Sequence, residues 1–232
     1  MSAEITFEDL GEIEYGKAWE YQESCLQKIA KAKQKDLDTS NLNHFLFCEH
    51  PHVYTLGKSG HQENLLINPQ FLQSIGATYY KIDRGGDITY HGPGQIVGYP
   101  IIDLETFNSG VKNYIYLLEE CIIQTLNDFN ITSSRLSGST GVWLDIDIPG
   151  KSRKICAIGV RVSRYVTMHG FALNVNTDLK YFNFINPCGF TDKGVTSMEK
   201  ELGKKLELQE VKDKLKFHFC NQFKIKEVVK NI

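Results

Sequence analysis

Two stretches of this 232-residue chain are built from residue types that bind and react rather than pack. The first is Arg84-Gly85-Gly86-Asp87-Ile88-Thr89-Tyr90-His91-Gly92-Pro93-Gly94-Gln95. Glycine costs backbone entropy, so its repeated use points to left-handed backbone or to close approach of a ligand. A plain hairpin turn would not also need Arg, Tyr, His and Gln. The stretch has neither the GxxxxGK[ST] of a P-loop nor the GxGxxG of a dinucleotide site. The second stretch is Asn186-Pro187-Cys188-Gly189. Proline fixes the backbone before the thiol and glycine relieves crowding after it, so Cys188 sits in a bend. Cys25, Cys121 and Cys220 fall on helical patterns and Cys48 in a strand, where a thiol is a small hydrophobe. Cys188 is either a nucleophile or a turn thiol without function. No two cysteines have zinc-site spacing.

Lys154 belongs to a charged cluster with Lys151 and Arg153, and such clusters are usually solvated. Yet the alternation Lys154, Cys156, Ile158, Val160 against Ile155, Ala157, Gly159, Arg161 sets Lys154 on a face with apolar residues. His91 ends the glycine-rich stretch and is expected to position it. His169 opens a later strand and reads as loop support. Gly85, Gly86, Ala157, Gly159, Gly170 and Ala172 lack bulk where an apolar chain could lie, although each could equally serve strand packing. Lys151, Arg153, Arg161 and Arg164, with Lys58 and Arg84 from nearby loops, form a candidate basic patch for an acidic partner.

The elements that must position these residues alternate in type. Ile5–Leu10 reads as a strand and Glu14–Lys33 as a helix with Ala18, Cys25, Leu26 and Ile29 on one side. Phe45–Cys48 and Val53–Leu56 are short extended pieces, and Pro69–Ser74 is a short helix. Thr78–Asp83 and Gln95–Asp103 read as strands flanking the glycine-rich stretch. Val111–Phe129 is an amphipathic helix. Thr140–Asp145 is a strand. Lys154–Val162 and Val166–Asn176 read as a hairpin. Thr196 with Glu199 makes a capping box for a short helix, and Gln209–Phe223 is a last helix. The expected class is α+β (mixed α/β), as one domain over residues 1–232.

Composition narrows the function classes. Hydrophobic residues are 41% and charged residues 23%, ordinary globular values that exclude a disordered or fibrous chain. A net charge of −2 argues against whole-surface attraction to nucleic acid. Apolar runs are far shorter than the roughly 20 residues of a membrane span. Met1–Leu10 is acidic and has no signal-peptide pattern, so a cytoplasmic, reducing compartment with free thiols is expected.

The stretch from Arg84 to Pro100, RGGxxTYHGPGQxVGYP, resembles the signature of the lipoyl(octanoyl) transferase family, also called lipoate-protein ligase B. Glu49-His50-Pro51, Val53 to Gly57, Gly141-Val142-Trp143, Arg153 to Arg161, His169 to Asn174 and Pro187-Cys188-Gly189 resemble its other segments, in the same order. The resemblance implies the fold of the biotin and lipoate ligase catalytic domains. It implies transfer of octanoyl from octanoyl-acyl carrier protein to a lysine of lipoyl domains of 2-oxoacid dehydrogenases or of the glycine cleavage H protein. Cys188 would be the acyl-thioester nucleophile and Lys154 its proton partner. Arg84, Gly85, Gly86, Asp87, Ile88, Thr89, Tyr90 and His91, with Ala157-Ile158-Gly159 and Gly170-Phe171-Ala172, would hold the acyl chain. No ATP, metal or other cofactor is implied. The alternatives are an ATP-dependent lipoate or biotin ligase on the same fold, and a non-catalytic binding relative.

Overall fold

The computed structural model describes residues 4–186 and 193–225. In chain order its strands are β1 (Ile5–Glu12), β2 (Asn43–Glu49), β3 (Val53–Leu56), β4 (Thr78–Lys81), β5 (Ile88–His91), β6 (Gln95–Ile101), β7 (Ser134–Leu136), β8 (Ser139–Leu144), β9 (Arg153–Ser163), β10 (Val166–Asn174) and β11 (Gly194–Val195). Its helices are α1 (Tyr15–Lys33), α2 (Pro69–Ser74), α3 (Val111–Asp128), α4 (Met198–Leu202) and α5 (Leu208–Phe223). This is a mixed α+β single domain. The large sheet runs β1-β2-β6-β10-β9-β8-β7, with β11 added beside β9, and a small sheet runs β4-β3-β5.

The two faces of the large sheet have separate cores. On one, α3 and α5 bury Phe45, Phe47, Phe171, Leu173 and Phe219. The Phe45 ring lies 4.5 Å from that of Phe47 and 4.6 Å from that of Phe219. On the other, α1 covers Leu46, Val97, Tyr99, Met168 and Ala172 with Ala18, Cys25, Leu26 and Ile29. Strand alternation explains the split, because Phe45 and Phe47 point one way and Leu46 and Cys48 the other. Burying each such side chain stabilises by about 1.5–3 kcal/mol. Glu14 begins α1 by accepting the N–H groups of Gly16 and Lys17. That cap satisfies two donors a helix start leaves open.

Several expectations need correction. The glycine-rich stretch is not simply a loop between two flanking strands. Its second half is itself strand β5, antiparallel to β3, while β6 belongs to the large sheet. The stretch is thus the crossing between sheets. The cap of α4 is Ser197, whose side chain accepts the Lys200 N–H, while the Thr196 hydroxyl donates to Glu201. Helix α4 starts one residue later than a Thr196 cap requires, and the Thr196 N–H that a capping box would offer to Glu199 is bonded to the Lys154 carbonyl instead, extending the β11 pairing. Four further short pieces escaped the sequence: β7, β11 and the 3₁₀ turns Gln62–Asn64 and Leu179–Phe184. None is long enough to show a period.

Candidate active site

A cavity of about 740 Å³ lies between the small sheet and the β9–β10 hairpin. That is within the range of sites for small molecules. One end is set by a β-bulge. Val142 pairs with Cys156 but Trp143 pairs with Lys154, so β9 carries an extra residue there. Ile155 and Cys156 therefore both pack into the α3/α5 core, while Lys154, Ala157 and Gly159 line the cavity. Strict alternation had grouped Lys154 with Cys156, and the bulge overturns that grouping. Lys154 stays half-buried, its Nζ 4.6 Å from the centre of the Trp143 ring. Lys193 Nζ lies 5.7 Å from the same ring. Trp143 is held by its indole N–H, which donates to the Ser139 carbonyl at 2.9 Å. The buried Glu119 of α3 fixes this corner by accepting the Gly141 N–H at 3.0 Å and pairing with Arg135.

The other end is a network of neutral rings. His50 donates Nδ1–H to the Ile13 carbonyl at 2.7 Å, and its Nε2 accepts from the Tyr99 hydroxyl at 2.8 Å. His91 donates Nδ1–H to Gln95 Oε1 at 2.8 Å, and the Gln95 amide donates to the Tyr90 carbonyl and to Asn174 Oδ1. Arg84 is buried and donates to the Thr55 carbonyl and hydroxyl. Burial lowers His91 to about 3 and His50 to about 4, so both are uncharged at neutral pH. Burial also lowers His169, outweighing its partner Asp83 at 3.0 Å. The hydrogen bond from His169 holds the Asp83 carboxyl below its ordinary value, and Arg161 adds to this at 2.8 Å. His169 has φ of 60° inside β10, and its backbone N–H goes to Gln22 of α1. It is a strained strand residue on the cavity wall rather than loop support.

The structure gathers most of the sequence-nominated residues. Arg84, Gly86, Asp87, Ile88, Thr89, His91, Ala157, Ile158, Gly159, Gly170, Phe171 and Ala172 line the cavity with Lys154. Tyr90 does not. Alternation in β5 turns it into the core of the small sheet, where its hydroxyl bonds His52 Nδ1 at 2.7 Å. Gly85 spends its N–H on the Val160 carbonyl at 2.9 Å, tying the stretch to β9. A Cβ on Gly159 would come within 2.8 Å of the Gly85 carbonyl oxygen, and one on Gly170 would strike the Gly98 carbonyl oxygen. These two glycines are required by backbone packing. Tyr15, Tyr99, Trp143, Lys180, Lys193 and Lys200 also line the cavity. Sequence reasoning had placed none of them there: Tyr99 closes the signature as a strand residue, and the others sit far along the chain from the glycine-rich stretch.

Cys188 lies outside the described residues. The described residues that flank it, Asn186 and Lys193, both line the cavity. Cys25, Cys48, Cys121 and Cys156 are buried, and burial pushes their thiols up. At Cys156 the nearby Lys154 charge offsets only part of this. These four thiols are thus held protonated, as packing groups are.

The family model for the lipoyl protein ligase A/B catalytic domain matches residues 14–220. An octanoyltransferase of Flavobacterium johnsoniae is 55% identical over 228 residues, covering 96% of this chain and 98% of the relative. The chain belongs to the octanoyltransferase family. Solved structures of the wider fold agree in shape. A bi-partite lipoate protein ligase from Thermoplasma acidophilum matches with a TM-score of 0.70 at 13% identity, over 100% of this chain and 88% of that one. A biotin protein ligase from Aquifex aeolicus matches with a TM-score of 0.52 at 13% identity, over 97% of this chain and 71% of that one. The fold is therefore the ligase catalytic fold that the sequence signature implied. Among the described residues, no helix is long and apolar enough to cross a membrane.

Proposed function

We propose that the chain moves an octanoyl group from octanoyl-acyl carrier protein to a lysine of a lipoyl domain, through an acyl thioester on Cys188. The observation that carries this reading is a half-buried lysine, Lys154, on the wall of a largely apolar cavity in a chain 55% identical to an octanoyltransferase. The fold alone would fit an ATP-dependent ligase equally well, and the sequence identity separates the two.

In the first half-reaction the Cys188 thiolate attacks the thioester carbonyl, the C–S bond to the carrier breaks, and Lys154 gives its proton to the departing thiolate. In the second, the acceptor amine attacks the acyl-cysteine, an amide forms, the C–S bond to Cys188 breaks and Lys154 takes the proton from the amine. Exchange between thioesters is nearly isoenergetic, so one difficult acyl transfer becomes two easier ones. An ammonium beside a thiol stabilises the thiolate, which a free cysteine with a pKa of about 8.5 needs at neutral pH. The acyl chain would lie along Ile88, Ala157, Phe171 and Ala172, each buried CH₂ contributing about 0.8 kcal/mol. The lipoyl-domain acceptor is supported by the likeness to the Thermoplasma ligase, which was solved as part of a lipoylation system with its E2 lipoyl domain.

The test is transfer to a purified lipoyl domain, followed by mass, with octanoyl-acyl carrier protein as donor and no nucleotide present. Octanoylated lipoyl domain is the expected product. Formation of product only when free octanoate and ATP are supplied would make the chain a ligase instead.

A further inference from the structure

The ionic side chains on the largely apolar wall of the cavity are mostly cationic, in a chain of net charge −2. Its ionic side chains include Arg84, Lys154, Lys180, Lys193 and Lys200 against a single described carboxylate, Asp87. Asp87 is occupied, accepting from the Asn64 amide and from the Ile88 N–H, both at 2.7 Å. Arg84 is buried in the ring network, and Lys154 and Lys193 share the Trp143 ring. That leaves Lys180 and Lys200, which are exposed on the rim. No ion pair joins either to a described carboxylate.

The basic patch expected on the β9–β10 hairpin contrasts with this rim. Arg153 is consumed by Glu201 and Asp145, and Arg161 by Glu23 and Asp83. Lys151 and Arg164 lie beyond opposite ends of the 11-residue β9, which at about 3.3 Å per residue spans roughly 33 Å. They cannot face one partner group together.

Lys180 and Lys200 line the same cavity as Lys154. Val195 of β11 pairs with Lys154, and α4, which carries Lys200, follows directly. The Glu199 N–H donates to the Val175 carbonyl at 2.8 Å, so α4 is tied to the segment that leads into the turn bearing Lys180. The carboxylates nearby are engaged. Glu201 is taken by Arg153 and Thr196, and Asp178 caps its own turn by accepting the Lys180 N–H at 3.0 Å.

We propose that Lys180 and Lys200 form an anion subsite at the cavity mouth that takes the phosphate of the donor's phosphopantetheine arm. The inference rests on the transfer reaction proposed above. In that reaction the thioester must reach Lys154, so the arm trails outward past the rim, and its one charged group is the phosphate. Two flexible ammonium groups with no ion pair to a described carboxylate suit such a ligand as point charges.

The test compares two small donors on the full chain, octanoyl-4′-phosphopantetheine and octanoyl-pantetheine, which differ only by the phosphate. The readout is kcat/KM for octanoyl capture. The unsubstituted protein should favour the phosphorylated donor by about fivefold, the upper scale for an exposed charge pair. That preference should fall to about one in the Lys180→Ala/Lys200→Ala double variant and persist in Lys151→Ala. Persistence of the preference in the double variant overturns the subsite, as does its absence from the unsubstituted protein. A double variant impaired only with octanoyl-acyl carrier protein, with the small-donor preference intact, overturns it in favour of contact with the carrier's own surface. Capture of neither small donor nor of the carrier-bound one would instead remove the transfer reaction itself.

Discussion

The two ends of the cavity are built on opposite principles. At the end near Tyr15, His50, His91 and Tyr99, hydrogen bonds close on one another inside the protein and burial keeps both imidazoles neutral. The other end, at Lys154, is cationic, half-buried and backed by Trp143. The closed end holds a shape. The cationic end gathers Lys154 and Lys193 on the Trp143 ring. On the proposed reaction, removing groups at the second end should cost rate, while removing groups at the first should cost stability.

The largest effect is expected at Cys188. Cys188→Ala should abolish octanoyl capture and transfer, whereas Cys156→Ala should retain both with reduced thermal stability, measured by intact mass and by melting. Lys154→Ala comes next, with both half-reactions slowed at least about 100-fold, the scale for losing a proton-transfer partner. Lys154→Arg should not restore them, because arginine keeps the charge but cannot release its proton. A fully active arginine variant would reduce Lys154 to an electrostatic neighbour. Trp143→Leu should slow capture by about tenfold through loss of the ring under the ammonium. Trp143→Phe should recover part of that rate, and single-turnover kinetics on both variants would check it.

The closed end answers to pH instead. A histidine whose folded pKa is depressed binds its proton in the unfolded chain first, so stability is present above the unfolded value near 6.5 and is lost as pH falls. For His50 and His91 the loss runs from about pH 6.5 down to their folded values of about 4 and about 3. Each contributes a slope of about 1.4 kcal/mol per pH unit within that window. His50→Gln should flatten the decline of the melting temperature between pH 6 and 4. A decline as steep as that of the unsubstituted protein would show that His50 is not held neutral.

Much of this division was written in the chain. The long amphipathic helices α1 and α3 and the β9–β10 hairpin follow from period and turn chemistry, and the glycine-rich stretch declared itself by composition. Which side of β9 Lys154 occupies was not legible, because a bulge that inserts one residue leaves no mark in a pattern read by alternation. Tyr90 looked like its neighbours in the signature, yet a two-residue period in β5 buries it beneath the small sheet. The cavity's lysines were hidden for another reason. Lys180 and Lys200 each read as an ordinary solvated charge, and only the packing of α4 against the end of β10 sets them on one rim.

The central claim is that the cationic end forms an acyl-cysteine, and one measurement addresses it most directly. The full chain is incubated with octanoyl-acyl carrier protein in the absence of ATP and acceptor, then digested and mapped by mass. The account predicts one octanoyl group per chain, on Cys188, labile to hydroxylamine. An unmodified chain that still octanoylates a lipoyl domain, or an octanoyl group found on another residue, would contradict it.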